Sequence, residues 1–282
     1  MRIAIPMLAI VFVLLFAASS WAKEPVTHAY VDDAEPRQHL DHYTAESDDP
    51  RPVVVFVHGG GWQFGRREVA RIFADNFTDA GVDVISVGYR LVPDVKWPVN
   101  VEDVAAAVDW IFDNAESLGI DPNRITLMGH SAGAHLIACL GADERWLAAH
   151  DRSPADLAGI VLLDGAGYDL IDTLATVGRR GQRLFRRAFG EDETVWRDAS
   201  PAHNVAENVT GHWLSILADG RQRSADQTRL LFEALPANVE KRTVETTSED
   251  HGQVMRTLAD PEDPELAIII ALVSERAIRE VR

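Results

Sequence analysis

The 282-residue sequence has one cysteine, Cys139, so no intramolecular disulfide can form. Cys139 lies eight residues after Ser131 in an apolar helical run, where a free cysteine acts as a small buried hydrophobe. Basic residues are few: 27 Lys and Arg against 44 Asp and Glu leave a formal charge of −17. So acidic a surface favours solubility and repels nucleic acid and anionic membrane, although it does not name a substrate. Aromatic residues make up only 7%, and no composition bias points to disorder, collagen or a repeat array. What remains is a chain that is 46% hydrophobic, enough for the core of a single domain.

Long apolar runs are also scarce, and the main one is N-terminal. Arg2 precedes the apolar segment 3–16, broken only by Pro6, and small residues follow at Ser20 and Ala22. This is the layout of a cleavable signal peptide, with cleavage expected after Ala22 and a secreted or periplasmic destination. The run is short for a membrane span of about 20 residues. Losing residues 1–22 removes one positive charge, Arg2, and makes the mature chain more acidic still.

Residues 23–50 are polar and acidic, with a weak edge strand expected around Gln38–Tyr43. Strand and helix patterns then alternate. Val53–Val57 is a continuous β-branched and aromatic run, the pattern of a strand buried on both faces. Helical periodicity follows over 67–80, and a strand over 82–87. A helix spans 100–118, closed by Gly119; then come the strand 124–128 and a helix from Ser131 to about Leu140. Further strands are expected at 160–163, 213–218 and, nearer the sheet edge, 239–244, with helices over 227–235 and 266–281. The pattern predicts one α/β domain over 23–282: a mostly parallel sheet with helices on both faces. Residues 166–210 break the rhythm. They carry no strand but include Arg179, Arg180, Arg183, Arg186 and Arg187, and read as a cap-like insertion forming a lid or pocket wall. A solvated helix face balancing an acidic protein is the plainer reading of the arginines, and an anion-binding role the sharper one.

The strongest chemical signal is Gly129-His130-Ser131-Ala132-Gly133, a G-x-S-x-G pattern directly after a strand and before a helix. A sharp turn there thrusts a serine hydroxyl out at a helix N-terminus, where free N–H groups favour developing negative charge. An N-capping serine would be the structural alternative. His58-Gly59-Gly60-Gly61-Trp62 follows another strand about 70 residues earlier. A glycine-rich loop of this kind brings backbone N–H groups against an oxyanion, so Gly60, Gly61 and Ala132 are the candidate donors.

A serine hydroxyl needs a base, and in this arrangement the order is Ser, acid, His. His251, the last histidine, follows the last predicted strand and is the candidate base. His150, His203 and His212 lie too early. Two aspartates compete for the acid, with a partner elsewhere left open. Asp219 follows the strand 213–218 directly, although Asp-Gly is also a turn signal; Asp226, seven residues on, fits equally a helix first turn. Position favours Asp219.

Together these segments resemble the hormone-sensitive-lipase-like and kynurenine-formamidase-like carboxylesterases of the α/β-hydrolase superfamily. The resemblance extends to Gly88-Tyr89-Arg90-Leu91, Trp97-Pro98, Asp121-Pro122-Asn123-Arg124-Ile125 and Asp164-Gly165-Ala166-Gly167-Tyr168-Asp169, covering roughly 50–280. It implies an α/β-hydrolase fold and a Ser131–Asp–His251 triad. It further implies an acyl-enzyme mechanism on a small ester, with no metal or organic cofactor. One departure lies at Ala218-Asp219-Gly220-Arg221-Gln222, where such esterases often read Gly-x-x-Asp. Arg90 is expected to pair with an acid such as Asp103. An aryl formamide is the alternative substrate for the same machinery. A non-catalytic binding module on this fold is the reading from a different class, and the presence of both Ser131 and His251 weighs against it.

Overall fold

The computed structural model describes residues 24–247 and 250–274, so the apolar segment 1–22 and its expected cleavage site lie outside the described residues. Among the described residues, eight strands build one sheet: β1 (Val26–Ala29), β2 (His39–Tyr43), β3 (Arg51–Val57), β4 (Asp83–Val87), β5 (Ile120–His130), β6 (Gly159–Leu163), β7 (His212–Leu217) and β8 (Glu240–Glu245). Their order is β1-β2-β4-β3-β5-β6-β7-β8. From β3 to β8 every pairing is parallel, while β1 and β2 join as antiparallel neighbours.

The uninterrupted apolar run in β3 follows from burial of both sheet faces. Val53, Val55 and Val57 face one core with helices α2 (Val99–Asp113) and α3 (Ala132–Ala142). Val54 and Phe56 face the other, with Phe77 of α1 (Ala74–Asp79) and with Leu266, Ile269 and Val273 of the C-terminal helix Pro264–Ser274. Cys139 is buried in the first core, as its apolar setting led us to expect.

The N-terminal side departs from expectation. The strand over 39–43 is not at an edge but is flanked by β1 and β4, and β1 itself was not anticipated. The alternation His39-Leu40-Asp41-His42-Tyr43 suggests a half-wet strand, yet all but His39 are buried. Partners make this tolerable: Asp41 accepts from Thr27 and Arg67, and His42 bonds Asp83 at 2.7 Å.

Residues 166–210 contain no strand. They fold as α4 (Leu170–Thr176), α5 (Arg179–Phe189), α6 (Glu193–Asp198) and a short 3₁₀ turn. Helix α5 is amphipathic, burying Phe185, Ala188 and Phe189 and leaving Arg179, Arg180, Arg183 and Arg187 exposed. After β7 the helix Gln222–Ala234 (α7) packs back before β8. Arg90 pairs with Asp103 through two nitrogens, Nε to Oδ2 at 2.9 Å and Nη2 to Oδ1 at 2.8 Å, and Glu35 sits at 3.2 Å.

Candidate active site

Parallel register brings the chemistry to one edge of the sheet. Val57 pairs with Gly129, and Gly129 with Leu162, so the chain leaves β3, β5 and β6 at nearly one level. Beyond those strand ends lie His58, Ser131 and Asp164, the usual location of a site in a parallel sheet.

Ser131 adopts φ 55°, ψ −117°, a left-handed conformation costly for a residue with a side chain. The turn is held open for it by glycines. A Cβ on Gly133 would lie 2.0 Å from the Val57 carbonyl oxygen, and one on Gly129 would meet Gly133 at 2.6 Å. Ser131 N–H donates to the Leu163 carbonyl at 3.0 Å, and its own carbonyl accepts from His135 N–H, which locks the elbow to β6 and α3.

The sequence had brought Ser131 and His251 together as nucleophile and base, and they meet: His251 Nε2 lies 2.9 Å from Ser131 Oγ. The acid is a correction. The carboxylate at His251 is neither Asp219 nor Asp226 but Asp164, whose Oδ2 lies 2.5 Å from His251 Nδ1. Strand order explains this. Asp164 directly follows β6, the immediate neighbour of the serine strand β5, whereas Asp219 follows β7, one strand further out. Asp219 is exposed, and Asp226 accepts from Gln222 within α7. The loop after β7 contributes instead a cation: Arg221 Nε sits 3.0 Å from the same Asp164 oxygen. Its signal in the sequence is Asp164-Gly165 directly after a predicted strand, within a segment that resembles esterases.

Proton positions follow from the partners. An ionised carboxylate only accepts, so His251 Nδ1 carries the hydrogen and donates to Asp164; Nε2 is then free to accept from Ser131. Asp164 is fully buried, which opposes its charge. The His251 hydrogen bond and the Arg221 guanidinium outweigh burial and hold the carboxyl below its ordinary range. His130 braces the base from behind: its Nε2–H donates to the His251 carbonyl at 2.9 Å. Burial, then the neighbouring His251, push the His130 imidazole down to about 4, so it stays neutral at ordinary pH. The earlier histidines pair elsewhere, His150 with Asp109, His203 with Asp169 and His212 with Glu240.

The glycine loop packs directly on the elbow. A Cβ on Gly59 would stand 3.0 Å from Ser131 Cβ, and Gly60 and Gly61 hold φ of 117° and 59°. Gly60 forms a tight turn, its carbonyl accepting from Gln63 and Phe64 N–H. Ala132 opens α3, whose first-turn N–H groups have no acceptor within the helix. Gly59 of this loop and Ala132 therefore border the serine from two sides.

The insertion roofs this loop. Trp62 packs its ring on Phe185 and Phe189 of α5, at 5.4 and 4.8 Å between centroids, and on His135 below. Leu184 lies against Gly61, where a Cβ would come within 2.6 Å of its Cδ1.

This sheet order, with a strained serine after β5 and a histidine after β8, is that of the α/β-hydrolase fold, and the solved structures show the same fold. The chain superposes on esterase 2 of Thermogutta terrifontis with a TM-score of 0.69 at 22% identity, covering 90% of this chain and 98% of that one. Against a carbohydrate esterase from gut microbiota the TM-score is 0.72 at 18% identity, covering 90% and 97%. Residues 40–158 match the BD-FAE family model. Among curated proteins, the chain is 29% identical over 218 residues to the isoprenylcysteine alpha-carbonyl methylesterase of Arabidopsis thaliana, 72% of this chain and 49% of that one. This chain thus spans about half the length of that relative.

Proposed function

We propose that the chain is a serine carboxylesterase acting on small carboxylic esters. One observation carries the reading: the unbroken relay Ser131 Oγ–His251–Asp164 beside a glycine loop packed on the serine. The similarity to proteins named methylesterase and carboxylesterase supports it.

As Ser131 Oγ attacks the ester carbonyl carbon, its proton passes to His251 Nε2. The carbonyl π pair moves onto oxygen, where backbone N–H groups of Gly60, Gly61 and Ala132 stabilise the charge. Asp164 keeps the imidazole in the accepting tautomer and stabilises the imidazolium once formed. Collapse of the tetrahedral intermediate breaks the bond to the alcohol oxygen, which takes the proton from His251. Water then repeats the sequence on the acyl-enzyme, releasing the acid and restoring Ser131.

A series of p-nitrophenyl esters from acetate to palmitate, with one aryl formamide, tests this reading. Turnover of short esters that disappears in Ser131→Ala supports it. Turnover of the formamide alone would transfer the same relay to amide chemistry. Export through residues 1–22 is part of the proposal. N-terminal sequencing of the protein recovered outside the cytoplasm should begin at Lys23, and a retained Met1 would refute it.

A further inference from the structure

The insertion does more than cover the site. Helix α5 meets the glycine loop through Leu184, which touches Gly61 and is still 38% exposed. On a helix, residues four before and three after share a face with a given position. Those neighbours of Leu184 are Arg180 and Arg187, both exposed, and Arg183 adjoins them. The face that borders the oxyanion loop is therefore the helix's basic face.

Among the described residues, Arg180, Arg183 and Arg187 have no acid partner, as is also true of Arg66, Arg197, Arg223 and Arg242; what distinguishes the first three is their place on the helix that meets the glycine loop. Acids outnumber bases 44 to 27 in this chain, so surface arginines have every opportunity to pair. Many do: Arg51 with Asp83, Arg145 with Asp143 and Asp198, Arg229 with Glu233 and, on α5 itself, Arg186 with Glu191. Among the described residues no acid lies within ion-pair reach of Arg180, Arg183 or Arg187. A local positive field thus stands on the helix that meets the glycine loop, in a molecule of strong negative charge, where it attracts anions that the rest of the surface repels. The exposed rings and chains nearby, Phe64 and Leu184, add apolar contact beside that charge.

We infer that the Arg180–Arg187 face selects esters that carry an anionic group, a carboxylate on the acyl or alcohol portion, for delivery to Ser131. This rests on the esterase reading above and specifies its substrate class. The guanidinium groups are exposed, so the preference is electrostatic and sensitive to salt.

Two matched pairs test it: mono-4-nitrophenyl adipate against 4-nitrophenyl hexanoate, and 4-acetoxybenzoate against its methyl ester. Values of kcat/KM are compared among wild type, R180Q/R187Q, R180E/R187E and the remote control R229Q. In at least one pair, the double glutamine variant should lose about three- to tenfold on the anionic member, with the neutral member within twofold of wild type. The double glutamate variant should lose more, R229Q should match wild type, and 0.5 M NaCl should erase the wild-type preference. An unchanged anionic-to-neutral ratio in both double variants, with neutral esters still hydrolysed, overturns the inference and leaves the esterase reading intact. A wild type that hydrolyses neither member of either pair removes both.

Discussion

Replacing Asp164 by asparagine isolates the carboxylate that holds His251. In the folded protein Asp164 Oδ2 is 2.5 Å from His251 Nδ1 and fully buried, with Arg221 as its other charged partner. Asparagine keeps the size but can present an N–H to Nδ1. That favours the tautomer whose Nε2 carries a hydrogen and cannot accept from Ser131. It also removes the negative charge that stabilises the imidazolium. The analogous change in a serine protease triad lowers kcat about 10⁴-fold. Here a loss of about 10³- to 10⁴-fold is expected, or about 4–5.5 kcal/mol of transition-state stabilisation. The assay is kcat/KM for p-nitrophenyl acetate, with circular dichroism confirming that each variant is folded. Asp219→Asn and Asp226→Asn, made in parallel, should stay within about twofold, since neither reaches His251. A folded Asp164→Asn enzyme with more than a tenth of wild-type activity, or an Asp219→Asn enzyme crippled like the one expected for Asp164, would refute the assignment.

Other consequences follow from neighbouring contacts. Asp164 carries a depressed pKa, so its stabilising contribution is present above the unfolded carboxylate range and is lost as pH falls through the folded value. Removing the Arg221 cation lets that folded value rise; in Arg221→Gln the midpoint of acid unfolding, followed by circular dichroism, should move to higher pH, and an unchanged or lower midpoint would contradict the pairing. Gly133→Ala drives a Cβ to 2.0 Å from the Val57 carbonyl oxygen, a backbone clash that should cost at least about 3 kcal/mol in denaturant unfolding. A variant as stable as wild type would mean that the elbow is looser than described. His130→Ala removes the donor to the His251 carbonyl and should lower kcat about tenfold, or about 1.4 kcal/mol, with KM little changed. Wild-type kcat in that variant would show that the base is held by other contacts.

Much of this molecule is legible in its sequence. The β-branched run of β3 announced a strand buried on both faces, and the two cores either side of it account for that run. Gly129–Gly133 between a strand and a helix located the strained serine, because only that glycine spacing lets α3 approach β3 so closely. His251 was placed by chain order alone. The acid was not so accessible. Asp164-Gly165 and Asp219-Gly220 are equivalent in one dimension, each an aspartate at the end of an apolar strand. What separates them is lateral position in the sheet, β6 beside β5 and β7 one strand beyond, and lateral position depends on pairing between distant segments. The interior position of β2 is hidden from the sequence for a related reason. Its polar residues are neutralised by Arg67, Thr27 and Asp83, partners 14 to 41 residues away that no local pattern reveals.

Everything functional rests on Ser131 as a nucleophile activated by His251. The most direct measurement is intact-protein and peptide mass spectrometry after treating the folded protein with a fluorophosphonate. The account predicts one adduct, on the peptide bearing Ser131, absent in Ser131→Ala. Folded protein that takes up no label, or carries it on another residue while Ser131 stays free, would contradict it.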